Sequence, residues 1–471
     1  MKTPWLITKY KKLDCVKSFP ITVDGFKFFI LINPDVGSWA VLTEEELKNY
    51  NDGSIEPLLG ENLYLRKLTQ TEDGRQVSLA FPQPANYPSV VVVNVTTKCN
   101  LYCKYCFAES CPTKGEDMSK EVIKEIVDQM LIMPEVKKIT FEFQGGEPLL
   151  NLSAIETCIR YANKQAPKHK KIAAYRIESN GTLINESVIS LLKKYNVEIG
   201  ISLDGPEELT NQARIYPNGR GAFKDIWRGI ELLRKNGIEV AGSVCTIGKH
   251  NVDYPDEIVK FFHKANIGFK PRPVNILGRE IKNKMAPDNE AWYKCFVRMY
   301  HLSKKLGVTN YSIHIFEENV YTPIRDYICL RYPCGLGREI ISINPNGDVY
   351  PCDGFKNVPE FKMGNILEEP IVEMLKKPWL EKLRNRTYKD IPKCRNCIFH
   401  TMCCSCVYSC YGAFDNIYRE DPTCLARNKI FRFLIEEWIR RNVITQYKKN
   451  KTDKKEKRDK ATTPPILHGQ V

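Results

Sequence analysis

The sequence predicts an α/β protein in which six consecutive strand–helix units form an open, partial (β/α)6 barrel. Three observations predict this class. Strand-length apolar runs alternate with helical patterns in the middle of the chain, cysteines concentrate towards its end, and prolines separate its beginning. The expected units are an N-terminal α+β domain, the barrel, a cysteine-rich domain, and a C-terminal helix with a disordered tail, at residues 1–85, 90–310, 325–430 and 431–471.

The composition predicts a cytoplasmic protein. The 471 residues contain no apolar run of transmembrane length and begin with a charged segment unlike a signal peptide, so we expect no membrane partner. The formal net charge is +14, but residues 448–460 hold eight basic and three acidic residues in a run typical of a solvated tail. Because no aromatic and basic stripe accompanies the remaining charge, we expect no nucleic-acid partner.

The N-terminal unit combines a hairpin with a helix. Residues 19–33 are typical of two strands that turn at Asp24-Gly25. Thr43 then caps a helix, with Glu46 as its partner in a capping box. A stiff joint to the barrel is formed by three prolines, Pro82, Pro84 and Pro88.

The barrel prediction rests on one pattern that occurs six times. The first strand starts at Val90, and the others are expected at residues 138–143, 173–178, 197–203, 238–245 and 268–275. Helices are expected at residues 152–164, 187–195, 222–235, 256–264 and 289–305. In parallel sheets the chemistry lies beyond the carboxyl ends of the strands, so the loops there form the candidate site.

Three cysteines follow the first strand at C-x3-C-x2-C spacing, Cys99, Cys103 and Cys106. Their thiols can bind three corners of a [4Fe–4S] cube and leave the fourth iron open, whereas an electron-transfer cluster normally has four cysteine ligands. With Tyr105 and Phe107 beside the last cysteine, the segment resembles the signature of radical S-adenosylmethionine (SAM) enzymes. The alternative is a zinc site that takes Cys111 as its fourth ligand.

The distal cysteines resemble the SPASM extension of radical SAM enzymes that modify peptides and proteins. The positions that fit its pattern directly are Cys334, Gly347, Cys352, Cys394, Cys397, Cys403 and Cys424. The pattern departs at one step, because Val407 stands three residues after Cys403, whereas Cys406 and Cys410 have the right internal spacing. The sequence therefore does not decide which of three cysteines is this ligand, Cys403, Cys404 or Cys406.

This resemblance implies three [4Fe–4S] clusters, one that binds SAM and two that are auxiliary. The first auxiliary cluster would take Cys329, Cys334, Cys352 and Cys410. The second would take Cys394, Cys397, Cys424 and one of the three open candidates. Two zinc ribbons remain the alternative. The isolated cysteines are expected in the core, at Cys15, Cys158, Cys245 and Cys295.

Residues after other strands complete the implied SAM site, together with Tyr105 and Phe107. Gly145-Gly146-Glu147 resembles the GGEP motif that holds the SAM amino group. The ribose and methionine moieties would be lined by Ser179, Asn180, Ser202 and Asp204. Arg214 matches an arginine that pairs with the SAM carboxylate in relatives. Taken singly, each glycine pair or Asn-Gly is also typical of an ordinary turn.

The resemblance implies a peptide or protein maturase. An external flavodoxin- or ferredoxin-type protein would supply one electron, SAM would be cleaved, and the 5′-deoxyadenosyl radical would abstract hydrogen from a bound peptide. We expect a thioether or carbon–carbon crosslink in a ribosomally made precursor, because the N-terminal domain of many such maturases binds a leader peptide as an added strand. A structural role for that domain is the alternative. Formylglycine formation by an anaerobic sulfatase-maturing enzyme is the second function, and a zinc-dependent nucleic-acid-binding protein is a remote third.

Asp353 is the expected general base of that reaction. It adjoins Cys352, so the metal would fix it beside an electron acceptor, where a substrate radical must also lose a proton. Partial desolvation would suit its carboxylate to that role. Sulfatase-maturing relatives use an aspartate at the matching position. The alternative is that Asp353 caps the turn at Gly354.

Overall fold

The computed structural model describes residues 10–12, 15–35, 37–52, 69–71, 85–321, 334–403 and 405–445. These residues form a central nine-stranded sheet, a three-stranded antiparallel sheet and a pair of short strands. The pair consists of β1 Tyr10–Lys12 and β5 Thr69–Thr71. No helix in these ranges is both long and apolar enough to span a membrane.

The N-terminal sheet consists of three strands in chain order, β2 Lys17–Val23, β3 Phe26–Asn33 and β4 Ser38–Leu42. Asp24 and Gly25 both have positive φ, as the tight turn between β2 and β3 requires. The helix α1 Glu44–Asn51 follows, with the capping box of Thr43 and Glu46 in place. The predicted hairpin and cap are confirmed, and Pro82 and Pro84 lie outside the described residues.

The six predicted barrel strands are present and run parallel in chain order. They are β6 Val90–Thr96, β7 Lys138–Gly145, β8 Ile172–Ser179, β9 Glu198–Ser202, β10 Gly242–Ile247 and β11 Phe269–Pro273. The order β6 to β11, without pairing between these two end strands in the described part of the chain, is that of an open barrel. The all-apolar run Val90–Val93 suits the buried position of β6, where both faces are covered.

The five predicted helices lie close to their expected positions. They are α3 Leu152–Gln165, α4 Glu186–Tyr195, α6 Phe223–Lys235, α7 Pro255–Ala265 and α9 Asn289–Leu306. Four further helices were not predicted, α2 Lys120–Leu131, α5 Glu207–Ala213, α8 Glu280–Asn283 and α10 Tyr311–Tyr321. Side chains of Ser119, Asn185 and Asp288 cap three of these helices by accepting from backbone N–H groups of the first turn.

One barrel strand begins later than predicted. The apolar residues from Ile238 predict a strand from that point, but β10 starts at Gly242. Tyr311 lies at this point, where its ring packs against Gly242 and its hydroxyl donates to the Ala241 carbonyl at 3.2 Å. The Ala241 N–H donates to the Ile199 carbonyl of β9 at 2.9 Å, so the chain joins the sheet at Ala241.

The C-terminal domain extends the barrel sheet. Strand β12 Ile340–Ile343 pairs in parallel with β6, and the antiparallel strands β13 Asp348–Tyr350 and β14 Gly364–Asn365 follow. The helices of this domain are α11 Ile371–Met374, α12 Pro378–Arg384, α13 His400–Cys403, α14 Val407–Phe414 and α15 Cys424–Ile439. This continuous sheet fixes the cysteine-rich domain directly beside the strand that leads to Cys99.

The C-terminal helix begins before the boundary predicted at residue 431. Helix α15 starts at Cys424, because the Asp421 carboxylate accepts from the Thr423 N–H and the Asp421 carbonyl accepts from the Cys424 N–H, both at 2.9 Å. The basic tail expected after it lies outside the described residues. Helix α15 packs against α9, α10 and β2, and so joins all three parts of the chain.

Candidate active site

The three cysteines of the first motif lie in the loop that leaves the carboxyl end of β6. All three are partly buried, and Cys103 and Cys106 lie close enough to Cys99 to interact with it electrostatically. Burial raises the pKa of the Cys103 thiol to about 12, and Arg214 opposes this shift. Thiols held protonated in this way would ionise on metal binding, as ligand thiols do.

The zinc alternative requires a fourth ligand beside these thiols. Within the described ranges, no three His, Cys, Asp or Glu side chains are placed as ligands of one metal ion. The Cys111 carbonyl accepts from the Cys99 N–H at 3.2 Å, and the Cys111 thiol contacts the Thr113 hydroxyl with an Sγ–Oγ1 distance of 3.7 Å. The metal centre at these thiols stays a prediction from the C-x3-C-x2-C spacing.

Arg279 holds the cysteine loop in place. Its backbone N–H donates to the Cys106 carbonyl at 3.1 Å, and its guanidinium donates to the carbonyls of Cys103 at 2.9 Å and Ser110 at 3.0 Å. The guanidinium also lies 4.1 Å from the ring centroid of Tyr102. No motif in the sequence marks Arg279, and only its position after β11 hints at this role.

The two glycines of the GGEP-like motif permit a close approach of backbone to backbone. A Cβ at Gly145 would lie 2.0 Å from the Thr96 carbonyl oxygen, and one at Gly146 would lie 2.1 Å from that of Lys98. Gly145 also has a φ of +134°, which favours glycine. The motif thus packs against the segment that leads into Cys99.

Glu147 is almost fully buried and connects two strand ends. Its carboxylate accepts from the Ser179 hydroxyl and the Asn180 N–H, each at 2.7 Å, and from the Leu149 N–H at 3.1 Å. Burial raises the pKa of this carboxyl to about 7, against the effect of the three donors. Asn180 in turn donates to Asn100, inside the cysteine loop, at 2.9 Å. The motif and the Ser179 turn are therefore held as one unit.

Asp204 is the centre of a buried polar cluster, two residues after Ser202 ends β9. Its carboxylate pairs with the Arg214 guanidinium at 3.1 Å and accepts a hydrogen bond from the Tyr105 hydroxyl. Burial opposes ionisation, but Arg214 and the other donors hold the pKa of Asp204 below its usual range. Tyr105 thus links the cysteine loop to the end of β9.

Two buried groups of this cluster make no hydrogen bond to the described residues. They are the Arg214 Nε and the ring nitrogens of His250, which stacks on Tyr105 at a centroid distance of 5.9 Å and whose Nε2 lies 3.8 Å from the Asp204 carboxylate. Buried donors normally have hydrogen-bond partners, so a ligand with acceptor atoms, such as a carboxylate, fits beside Arg214. His250 carries no motif, and its role was not predicted from the sequence.

Phe107 connects the cysteine loop to the C-terminal domain. Its ring packs against Tyr408 at 5.9 Å, and the Lys356 ammonium lies 5.1 Å from its centroid. Lys356 pairs at 3.2 Å with Asp353, which also accepts from the Ser342 hydroxyl at 3.3 Å. The buried Tyr408 hydroxyl has no hydrogen-bond partner in the described part of the chain. Asp353 thus lies between two groups of cysteines, the motif Cys99, Cys103 and Cys106 and the distal cysteines of the C-terminal domain, which we call the two cysteine fields. Its predicted catalytic role stays a prediction.

Five distal cysteines line a cavity of about 390 Å³ in the C-terminal domain, Cys334, Cys394, Cys397, Cys403 and Cys424. Four of them act on one another electrostatically, namely Cys394, Cys397, Cys403 and Cys424. These four cysteines match the ligands predicted for the second auxiliary cluster, with Cys403 as the ligand that the sequence left undecided. Cys404 lies outside the described residues.

The first predicted auxiliary set is brought together less completely. Cys329 lies outside the described residues, and Cys334 borders the cavity of the second set. The Cys410 thiol contacts the Ser405 hydroxyl at 3.2 Å and accepts from Arg386 at 3.5 Å. Cys352 and Cys406 instead both act electrostatically on Tyr408. The ligands of a first auxiliary cluster therefore stay a prediction, with Cys406 and Cys410 both as candidates.

Comparison with known families agrees with this layout. Residues 93–262 match the radical SAM superfamily, and residues 334–398 match the SPASM iron–sulfur cluster-binding domain. The chain therefore contains a radical SAM domain that is followed by a SPASM domain. These domains imply SAM and [4Fe–4S] clusters as cofactors, which the clustered thiols and unpartnered buried donors fit.

One sequence relative and two solved structures illustrate which proteins this chain resembles. The chain is 26% identical over 345 residues to the serine-type anaerobic sulfatase-maturating enzyme of Bacteroides thetaiotaomicron, which covers 67% of this chain and 81% of the relative. The structure of native anSMEcpe with bound AdoMet and Cp18Cys peptide matches at a TM-score of 0.66 and 22% identity, over 75% of this chain and 98% of that chain. Streptococcus suis SuiB bound to its precursor peptide SuiA matches at 0.53 and 16%, over 88% and 99%. Both structural likenesses show a shared fold.

Proposed function

We propose that this protein is a radical SAM peptide maturase that installs a thioether or carbon–carbon crosslink in a ribosomally made precursor. The observation that carries this choice is the N-terminal sheet. Strands β2 and β4 each pair on one side only among the described residues, so an extended leader peptide has an edge to join. The structural likeness to SuiB, a protein bound to a precursor peptide, extends over 88% of the chain, whereas that to anSMEcpe extends over 75%.

Different residues at the strand ends would bind different parts of the cofactors. Cys99, Cys103 and Cys106 would ligate a [4Fe–4S] cluster, and Arg214 would receive the SAM carboxylate with its unpartnered Nε. When bound, cluster and SAM supply a 5′-deoxyadenosyl radical that removes a hydrogen atom from the peptide. Glu147 and Asn180 hold the surrounding loops together through their hydrogen bonds.

The peptide would lie between the cysteine loop and the C-terminal domain. Asp353, whose side chain is 16% exposed, would accept the proton that the oxidised peptide loses. Two auxiliary clusters, the second on Cys394, Cys397, Cys403 and Cys424, would take up the electron. An external flavodoxin- or ferredoxin-type protein would supply the electron that starts each turnover.

Formylglycine formation is the second candidate function. The curated relative is named as a sulfatase-maturating enzyme, and the aspartate after Cys352 resembles that class. This reaction needs no leader peptide, so the N-terminal sheet would then have a structural role alone.

The experiment compares two substrates with the reconstituted protein under anaerobic conditions, with SAM and dithionite. A short cysteine-containing peptide encoded beside the gene should lose two hydrogen atoms, and fragmentation should place a crosslink within it. The Cp18Cys peptide should stay unchanged. Loss of the cysteine sulfur from Cp18Cys, with the gene-linked peptide unchanged, would establish the sulfatase-maturing function instead.

A further inference from the structure

A buried lysine that belongs to no motif lies between the two cysteine fields. Lys356 follows Cys352 by four positions, and its side chain is only 5% exposed. A buried ammonium requires polar partners. The Lys356 ammonium donates to three acceptors in separate segments, each at 3.2 Å. They are the Asp353 carboxylate, the Gly145 carbonyl and the Asn94 side-chain carbonyl.

These partners belong to both cofactor sites. Gly145 begins the GGEP-like turn, and Asn94 lies in β6, the strand that leads to Cys99. The same ammonium stands 5.1 Å from the ring of Phe107, the residue after Cys106. Asp353 directly follows Cys352. One cation therefore contacts the neighbours of a SAM-cluster ligand and of an auxiliary-cluster ligand.

A closed ring of hydrogen bonds surrounds this contact. The Asn94 amide donates to the Ser342 hydroxyl at 2.9 Å, and that hydroxyl donates to Asp353 at 3.3 Å. The Asn344 amide donates to the Lys356 carbonyl at 2.7 Å. Buried networks whose members are all paired are rigid, so a displacement on one side is passed to the other.

We infer that Lys356 is a positioning residue that couples the SAM site to the auxiliary-cluster loop. Binding of SAM against the GGEP-like turn changes the surroundings of the cluster held by Cys352, and the state of that cluster changes the affinity for SAM equally, as linkage requires. The inference rests on the proposed function in one respect, that both sites hold clusters.

The test is a redox titration of the reconstituted protein, followed by electron paramagnetic resonance, with and without SAM. Loss of a signal in Cys352→Ala identifies its cluster. In the wild type, SAM should shift the midpoint potential of that cluster. Lys356→Met should abolish the shift while equilibrium dialysis still shows SAM binding and the iron content is unchanged. Lys362→Met removes a lysine that is 40% exposed and pairs with Asp348 at 2.6 Å, and it should keep the full shift.

A second variant guards against misfolding. Lys356→Met leaves the carboxylate of Asp353 unpaired, whereas Lys356→Met with Asp353→Asn leaves no charge at this position. The double variant should also bind SAM without the shift. A wild-type-sized shift in either variant, or none in the wild type, would overturn the inference. Absence of auxiliary iron from the wild type would contradict the proposed function instead.

Discussion

At the scale of single residues, Asp353 is the group whose catalytic role is most open to test. Its side chain is 16% exposed, and it is held by Lys356 and Ser342. It is thus fixed in position yet accessible to a bound peptide. A turn-capping role alone would not require these two side-chain contacts.

Asp353→Asn should keep all bound iron and SAM binding but lose most product formation, because an amide cannot accept the proton from the substrate. The measurement is product and 5′-deoxyadenosine from the same reaction, and we expect cleavage of SAM to continue without product. Asp348→Asn, which removes a nearby carboxylate paired with Lys362, serves as control. Product at the wild-type rate in Asp353→Asn would remove the residue from the mechanism.

The cavity of the C-terminal domain predicts which of the undecided cysteines, Cys403, Cys404 or Cys406, is a ligand of the second auxiliary cluster. Cys403 lines it together with Cys394, Cys397 and Cys424, whereas Cys406 is not among its lining residues. Cys403→Ala should therefore lose about four iron atoms per chain, those of one cluster, together with the signal lost in Cys424→Ala. If Cys406→Ala removes that signal and Cys403→Ala keeps it, the assignment of the second auxiliary cluster is wrong.

Motif residues could be located from the sequence, but their partners could not. Spacing located Cys99, Cys103 and Cys106, and resemblance to the GGEP motif located the Gly145-Gly146-Glu147 turn. The hydrogen bonds of Glu147 to Ser179 and Asn180 depend on how β7 and β8 align, which no local pattern records. The same holds for Arg279, His250 and Lys356, whose partners are distant in sequence.

At the scale of elements, the N-terminal sheet packs against the C-terminal part of the chain. Trp39 of β4 packs edge-on against Trp438 of α15 at a centroid distance of 5.2 Å, and its indole N–H donates to the Val320 carbonyl at 2.7 Å. Phe19 of β2 contacts Phe399, and the Thr401 hydroxyl donates to the Pro34 carbonyl. The sheet therefore supports the SPASM domain whether or not it also binds a leader.

Trp39→Ala should lower the free energy of unfolding by roughly 2–4 kcal/mol, since it removes aromatic packing and leaves a carbonyl without its donor. Thermal unfolding followed by circular dichroism measures the change. Trp379→Ala is the control, because Trp379 is 37% exposed and its loss should matter little. Equal melting temperatures for both variants would show that the sheet is not stabilised by this contact.

A second interface residue predicts a pH dependence. Burial lowers the pKa of His400 from 6.5 to about 4, and the side chain stacks on Tyr388. The folded state keeps His400 neutral while the unfolded chain takes up a proton. Its contribution to stability is thus complete above pH 6.5 and declines towards pH 4, by at most about 3 kcal/mol.

Comparing the melting temperatures of wild type and His400→Gln between pH 7.5 and 4.5 tests this, and the variant should lose less stability on acidification. His263→Gln, at an exposed position on α7, should follow the wild type. Identical acid sensitivity of all three proteins would contradict the buried, neutral histidine.

The order and type of the barrel elements could be predicted because each strand and helix carries its own period. The addition of β12 to β6 could not, since Ile340–Ile343 is a short apolar run that reveals nothing about its neighbour. The contact of Tyr311 with Ala241, just before β10, likewise joins residues that are distant in sequence.

At the scale of the whole molecule, a continuous sheet brings two cysteine fields to one region. Cys99 follows β6, and Cys352 follows β13, which β12 joins to the same sheet. The proposal of three clusters gives about twelve iron atoms per chain after reconstitution. In the proposed reaction, radical formation and electron uptake would therefore occur on two sides of one peptide site.

The release of 5′-deoxyadenosine from SAM tests the central claim most directly. Reconstituted wild-type protein with dithionite should form it, measured by liquid chromatography, even without a peptide. The variant with Cys99, Cys103 and Cys106 all replaced by Ala should lose about four iron atoms and form none, because its SAM cluster is missing. Wild-type levels of 5′-deoxyadenosine from that triple variant would contradict the account.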